Sequence, residues 1–482
     1  MKYILKYKIY LPVLFTMLMV LGSCNKEFLE VVPKGRLIAE KTADYDKILN
    51  SSNFTNFSLA PIYTVLGDEV IARDPLFGAR PTFDQRLFRY EDDLYEPEAE
   101  PTQITTLTKL LYLCNKIINE VMDSSGGTDA EKRVIQAEAL TARAWIYMHF
   151  TTLFTKPYSA ATANTDEGFA IIKDADINRT YVRATLQQHY DFMIEDLKAA
   201  IPVLPTIITS RYRATQAVAQ ALLGKVYLSM GKFSDALPYL NGAITNINGN
   251  TGLITKIYDY NIEMFAGGAL FSASMATSGP SIITLPNNLE SIYSRQDINS
   301  YNSSGNSYFV LSPAVAALYS ATDHRRKCYN TLTLTYPAGA LRRLWPLIQP
   351  TGMNIPEIYL MRAECRARAN TLYGASSAEE DLLYLRQRRM PVSSAAVPAG
   401  MTQTQMIRFV IDERLREYAF AGLRWFDMRR LSVDPLFSST TYTHTLHFAD
   451  GTSQNYPLRP ERLTLRIPGR ILRDNPEMKD NQ

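Results

Sequence analysis

The chain has 482 residues, a formal net charge of +3, 46% hydrophobic residues and four cysteines. Such a length and apolar content suit a large folded body, and four cysteines are too few for a disulfide framework. Three lysines and no acid lie in residues 1–23, so the remainder is formally neutral and carries no electrostatic footprint for nucleic acid.

The N-terminus reads as an export signal. Lys2, Lys6 and Lys8 precede an apolar run from Ile9 to Leu21, too short for a transmembrane helix, which needs ~20 residues. Pro12 interrupts that run, and Leu21-Gly22-Ser23-Cys24 closes it. Small residues before a cysteine resemble the bacterial lipobox. Residues 1–23 are therefore expected to be a lipoprotein signal peptide, with Cys24 as the lipid-bearing first residue of the mature chain. Two or three acyl chains would give stable membrane attachment. The alternative is an ordinary secretory signal that contains a cysteine.

Residues 50–100 show little periodicity and read as loops. Helical patterns follow. In Gln103–Asp123 the apolar residues Leu107, Leu110, Leu111, Cys114, Ile117, Ile118 and Val121 share one helix face. Ser124-Ser-Gly-Gly-Thr128 breaks the pattern. A second helix is predicted from about Asp129 to Phe154, and a third over Leu186–Ile201, stopped by Pro202 and Pro205.

Residues Gln220–Ala243 are similar to a tetratricopeptide repeat, with small residues where two helices cross. Gly224 and Ala236 are expected at the close contact and Gly231 in the turn. Ser234 is expected as a cap, and Pro238 in the first turn of the second helix. Ile358–Asn370 and Glu379–Arg389 have the same character, with Ala363 and Ala367 as small contacts. Between these blocks, 246–345 is rich in Gly, Asn, Ser, Thr and scattered tyrosines, and a long irregular segment is usually functional. Thr440–Arg466 alternates and reads as a hairpin or two.

Motifs for nucleotide binding, serine hydrolysis or zinc proteolysis are absent from the sequence. His444 and His447 would face opposite sides of a strand, which disfavours a metal pair. Glu91-Asp92-Asp93 reads as a solvated acidic loop. No catalytic residue, metal site or cofactor is expected. Cys114, Cys328 and Cys365 read as buried free thiols, with one disulfide as the alternative. The cluster Asp412–Arg430 carries Arg and carboxylate groups at spacings of three and four, and reads as a partly buried ion network rather than an anion site. Gly422 should end one helix, and Arg424 could stack on Trp425.

In chain order the segments Cys24–Pro33, Ala137–Phe150, Ala221–Gly231, Glu357–Glu364, Ile411–Arg430 and Ile467–Pro476 resemble the SusD/RagB-like nutrient-binding outer-membrane lipoproteins. The resemblance implies a mainly α fold. Its scaffold would hold about four tetratricopeptide-like helix pairs, with an irregular, loop-rich second half containing short strands. It implies one body over 24–482: a helical part (24–245), a loop-rich ligand side (246–345) and a C-terminal helical and short-strand part (346–482). The implied function is non-enzymatic. The chain would bind glycans and act as lid on a SusC-like TonB-dependent transporter, lipid-anchored in the outer membrane and facing the cell exterior. Alternatives are the same lid with peptide cargo, an anchored glycoside hydrolase, and a docking platform alone.

Sugar sites commonly stack pyranose rings on Trp and Tyr. Of the three tryptophans, Trp145 and Trp425 fall inside helical signatures and are expected in the core, leaving Trp345 as an outside candidate. The ligand platform is therefore expected from Tyr63, Phe77 and Tyr90 in the first loop region and Tyr293, Tyr301 and Tyr308 in the second.

Overall fold

The computed structural model describes residues 39–55, 59–175, 181–298, 308–331, 337–344, 348–350 and 352–481. The signal peptide, Cys24, the tether to Pro33, Tyr301 and Trp345 lie outside the described residues. Among the described residues no helix is long and apolar enough to cross a membrane.

The scaffold is a row of antiparallel helices. Helix α1 is Thr42–Leu49, and two short helices, α2 (Ala60–Leu66) and α3 (Thr82–Phe88), precede the long pair α4 (Thr102–Glu120) and α5 (Asp129–Phe154). Next come α6 (Leu186–Ala200), α7 (Gln216–Ser229), α8 (Phe233–Asn248), α9 (Ile355–Arg368), α10 (Ala378–Arg386), α11 (Gln403–Tyr418) and α12 (Leu423–Ser432). Neighbours in the row pack on one another, and α9 joins α8 to both α10 and α11.

Local chemistry fixes the helix starts. The Thr128 hydroxyl accepts from the Glu131 amide at 3.2 Å, while the Glu131 carboxylate takes the Thr128 amide at 2.7 Å. This reciprocal cap satisfies two of the four orphan donors of α5. The same device opens α6 at Thr185/Gln188 and α11 at Thr402/Gln405. Helix α5 is sheathed nearly all round over its last two-thirds, where the buried Ala137, Ala139, Ala142 and Ala144 let neighbours approach. Arg143 then clamps Asp196 of α6 through two bonds of 2.8 and 2.7 Å and reaches Asn115 of α4 at 2.9 Å.

The repeat-like pair α7/α8 behaves as its small residues require. A Cβ on Gly224 would lie 2.6 Å from Leu240 Cδ2, so any larger residue would force the Leu240 side chain to shift. Gly231 makes the turn at φ +71. Two expectations are corrected. The helix starts at Phe233, with Lys232 at the cap position, so Ser234 is not the cap. Pro238 is the sixth helical residue rather than part of the first turn. Both Ser234 and Pro238 are exposed, so water can satisfy the carbonyl that Pro238 leaves without a donor.

Residues 50–100 are more ordered than their composition suggests. They hold α2, α3 and strand β1 (Val70–Arg73), whose four residues are all buried. Strand β1 pairs antiparallel with β2 (Phe309–Leu311) and parallel with β3 (Thr443–His447); β3 pairs antiparallel with β4 (Ser453–Pro457). The predicted C-terminal hairpin is thus β3–β4, and its alternation puts His444 and Leu446 inward. Short two-stranded ladders join Ser291–Tyr293 to Met353–Asn354 and Tyr329–Asn330 to Arg342–Arg343. One apolar cluster runs from Phe54 to Met478, and a smaller one, with Tyr258, Tyr260, Met264, Leu270 and Cys328, sits beneath the loops of 258–289.

Candidate functional site

The charged segment around 412–430 is a buried ion network, as its spacing suggested. Glu413 is fully buried among Arg325, Arg386 and Arg416 at 2.6–2.7 Å. Burial works against its charge, but those three guanidiniums, Arg325 foremost, outweigh it and hold the carboxyl far below its usual range. Arg430 takes both oxygens of Glu364 at 2.7 and 2.8 Å, and Arg414 pairs with Asp427 at 3.1 Å. Arg429 donates to the Thr151 and Thr155 carbonyls, and the Trp425 indole to that of Thr152. The end of α5 is therefore capped by side chains of α12. Trp425 is core and Arg424 does not stack on it. Arg424 pairs with Asp68 at 2.5 Å and lies over Tyr442 at 5.7 Å.

Between α11 and α12 the chain makes a strained turn. Phe420 has φ +63 and Gly422 φ +77. Arg343 donates to the carbonyls of both Ala419 and Phe420, and Tyr329 donates to that of Ala419 at 3.3 Å. An aromatic residue held at positive φ persists only where its surroundings over-determine it, often at a functional site.

This turn forms one wall of a cleft of about 120 Å³. Tyr258, Tyr260, Ile282 and Asn288 face it from the loops of 258–289, and Tyr329, Arg343, Arg416 and Tyr418 from the body. Arg389, fully buried, ties the two sides together: it reaches Glu290 and Glu417 at 2.7 Å each, donates to the Tyr258 carbonyl at 2.7 Å, and lies over the Tyr260 ring at 4.1 Å. Arg389, Glu290 and Glu417 thus compensate one another, while Arg343 donates to the carbonyls of the turn. Tyr258 and Tyr260 are as covered as the core tyrosines, so what the cleft offers a guest is the half-buried Tyr329 and Tyr418, the Asn288 amide and the apolar rim at Ile282.

Behind the turn lies an inner chamber of about 30 Å³, which shares Asn354, Tyr418 and Ala421 with the cleft. Lys225 meets Glu357 there at 2.8 Å, and the Tyr63 hydroxyl meets His149 Nδ1 at 2.7 Å. Burial, then Lys225, holds the His149 pKa well below its ordinary value, so the ring is neutral.

Of the residues expected to form the aromatic platform, Tyr301 lies outside the described residues and the other five are buried. Tyr63, Phe77, Tyr90, Tyr293 and Tyr308 are between 1% and 4% exposed. Phe77 packs on Phe88 at 5.0 Å, Tyr90 stacks on His444 at 4.3 Å, Tyr293 lies under Arg295 at 3.8 Å and Tyr308 under Arg80 at 4.4 Å. A ring covered in this way has no open face for a sugar. Tyr63 borders the inner chamber, and Tyr90 a void of about 10 Å³ beside Leu66 and Arg462. Tyr258, Tyr260 and Tyr329 come from the loop-rich segment already suspected, and the Tyr258-x-Tyr260 spacing was the available signal. Tyr418 was hidden inside the charged motif.

Other singled-out residues serve structure. Glu91, Asp92 and Asp93 lie at the surface as expected, where they pair with Arg89, Arg462 and Arg466 at 3.5, 3.0 and 2.8 Å. His444 gives both ring nitrogens to the backbone of Phe88 and Gly67. Cys114, Cys328 and Cys365 are buried and free. Among the described residues no group of three or more His, Cys, Asp or Glu is placed to hold a metal ion.

Comparison with known proteins places this scaffold. Residues 87–228 match a SusD-like family described as "Starch-binding associating with outer membrane", and residues 353–478 match the SusD family. The chain belongs to the SusD/RagB family. It is 25% identical over 377 residues to SusD-like protein P2 of Formosa agariphila, spanning 65% of this chain and 69% of that one. A putative sugar binding protein of Bacteroides vulgatus has the same fold, with TM-score 0.71 and 19% identity over 92% of this chain and 99% of that one. A SusD superfamily protein of Bacteroides thetaiotaomicron also scores 0.71, at 17% identity over 92% and 100%.

Proposed function

We propose that this protein binds neutral glycans in the tyrosine-lined cleft and hands them to a SusC-like TonB-dependent transporter, acting as its lid. It does so without turning them over. Cys24 would carry the lipid that holds the protein on the outer membrane, with the body at the cell exterior and residues 25–33 as tether. The observation that carries the binding reading is the cleft itself: Tyr329, Tyr418 and Asn288 beside an Arg389–Glu290–Glu417 network that is internally paired. Such a surface suits a guest with flat apolar faces and many hydroxyls. A charged guest would have to displace an internal ion pair, at a cost of several kcal/mol.

The test is a binding panel of neutral polysaccharides, acidic polysaccharides and peptides against the purified mature chain, with each ligand recovered afterwards. Saturable binding of a neutral glycan recovered intact supports the reading. Binding of peptides alone, or shortening of the glycan, overturns it. Copurification from detergent-solubilised outer membranes tests the lid role, which fails if no large β-barrel protein comes with the chain.

A further inference from the structure

One end of the helix row carries two interlocked loops, the link after α6 and the segment after α8. Leu253 donates to the Ile208 carbonyl at 2.7 Å, Ile208 donates to the Asn250 side chain at 2.9 Å, and Arg211 holds the Ile254 carbonyl. A Cβ on Gly252 would lie 2.2 Å from the Ile208 oxygen, so this interlock requires glycine. The paired loops expose Val203, Ile207, Leu253 and Ile254, at 38%, 45%, 38% and 71%. Neither 201–210 nor 249–255 holds a charged residue or an aromatic ring.

The chain enters the described body at the same end. Asn246, near the end of α8, donates to Gln216 and Gln220, at the start of α7, at 2.9 Å each. Arg213, in the α6–α7 link, pairs with Glu138 of α5 at 2.5 Å and with Asp46 of α1 at 2.6 Å. Helix α1 is in turn clipped to the α4–α5 turn. The Thr42 amide donates to the Ser125 carbonyl at 3.0 Å, and the Ser125 amide donates to the Glu40 carbonyl at 2.9 Å. The description begins at Ala39, so the stretch from Cys24 joins the body here. That stretch, roughly 15 residues, reaches at most about 50 Å. The length of α5 alone puts the other end of the row about 40 Å further from the anchor.

A contiguous exposed apolar patch marks a contact with protein or membrane. Protein interfaces concentrate Tyr, Trp, Phe, Met and Arg at their centres, and these two loops have none. Uncharged aliphatic side chains suit the boundary between headgroups and acyl chains, where binding scales with the apolar area buried. We infer that Val203, Ile207, Leu253 and Ile254 dip into the lipid bilayer beside the anchor, so that the helix row stands on this end. The choice of a bilayer rests on reading Cys24 as the lipid-bearing residue. It adds to that reading a second attachment and a fixed orientation of the body.

The test is flotation of the purified mature chain, made without its acyl groups, with neutral phosphatidylcholine–phosphatidylethanolamine vesicles. The wild type should rise with the vesicles. Ile254→Asp should lower the partition coefficient about 10-fold, the lower end of what burying one isoleucine is worth. Ile207→Asp/Ile254→Asp should leave the chain in the dense fraction. Both variants should keep the wild-type Tm and glycan affinity, because the side chains they replace are exposed in the free protein. If the double variant melts earlier, the single variant decides. A wild type that stays in the dense fraction, or an Ile254→Asp variant that floats as well as the wild type, overturns the inference. A wild type that stays behind while the double variant loses a β-barrel partner in copurification overturns it in favour of a protein contact. None of these results bears on Cys24, whose own reading fails if the natural protein carries no acyl chain at that residue.

Discussion

Glu69 gives a sharp test of the electrostatic account. It precedes β1, is fully buried, and neither carboxyl oxygen has a hydrogen-bond partner. Burial, with the Asp68 charge adding to it, pushes its pKa from 4.5 up to about 8. The fold thus holds the neutral acid. A raised carboxyl pKa adds no penalty below the unfolded value, near pH 4.5. Stability falls as pH rises from there to about 8 and is flat beyond. Each tenfold difference is worth about 1.4 kcal/mol, so the upper bound is about 5 kcal/mol, which local relaxation trims to about 2–5 kcal/mol. Glu69→Gln keeps the shape and removes the ionisation. In urea melts at pH 5 the variant should lie within about 1 kcal/mol of wild type, and at pH 9 it should be more stable by about 2–5 kcal/mol. A gap that does not change with pH, or a variant weaker at both values, would refute the reasoning.

Three further outcomes follow from the packing and the ion network. Gly224→Ala brings a methyl against Leu240 and should cost about 1–3 kcal/mol in a denaturant melt. Arg389→Met leaves Glu290 unpaired and Glu417 with Arg325 alone, so about 3–5 kcal/mol should be lost and glycan binding with it. Asp427 is desolvated, but Arg414 and Arg430 draw its pKa down to about 2. Its contribution is present above about pH 4 and lost as pH falls through 2, so Asp427→Asn should be weaker by about 2–3 kcal/mol at pH 7 and the gap should close on acidification.

The helical scaffold was legible because its signals are local. Ser124-Ser-Gly-Gly-Thr128 breaks one helix and caps the next, so the start of the 129–154 helix follows from those few residues. The Gly224/Gly231 pattern likewise fixes a crossing and a turn between adjacent helices. The Arg-carboxylate run around 412–430 declared a network by its spacing, though not that Arg429 would cap α5. What could not be read is non-local. Strand β1 finds its partners near residues 310 and 446, so its four buried residues looked like part of a loop. The burial of Tyr63, Phe77 and Tyr90 is non-local in the same way. Tyr63 belongs to a helix, Phe77 packs on Phe88, and Tyr90 and His444 stack across the chain, none of which alternation can reveal. The cleft itself draws Tyr258, Tyr329 and Tyr418 from segments that meet only when Arg389 joins them.

The claim that most needs testing is that the cleft beside the 418–422 turn is where this SusD/RagB-family protein binds glycan. The direct measurement is calorimetric titration of a neutral glycan that binds the wild type into the Ala421→Trp variant, whose indole fills the junction of cleft and chamber. The account predicts saturable binding by the wild type and none by the variant at unchanged Tm. Undiminished binding by a folded variant would contradict it.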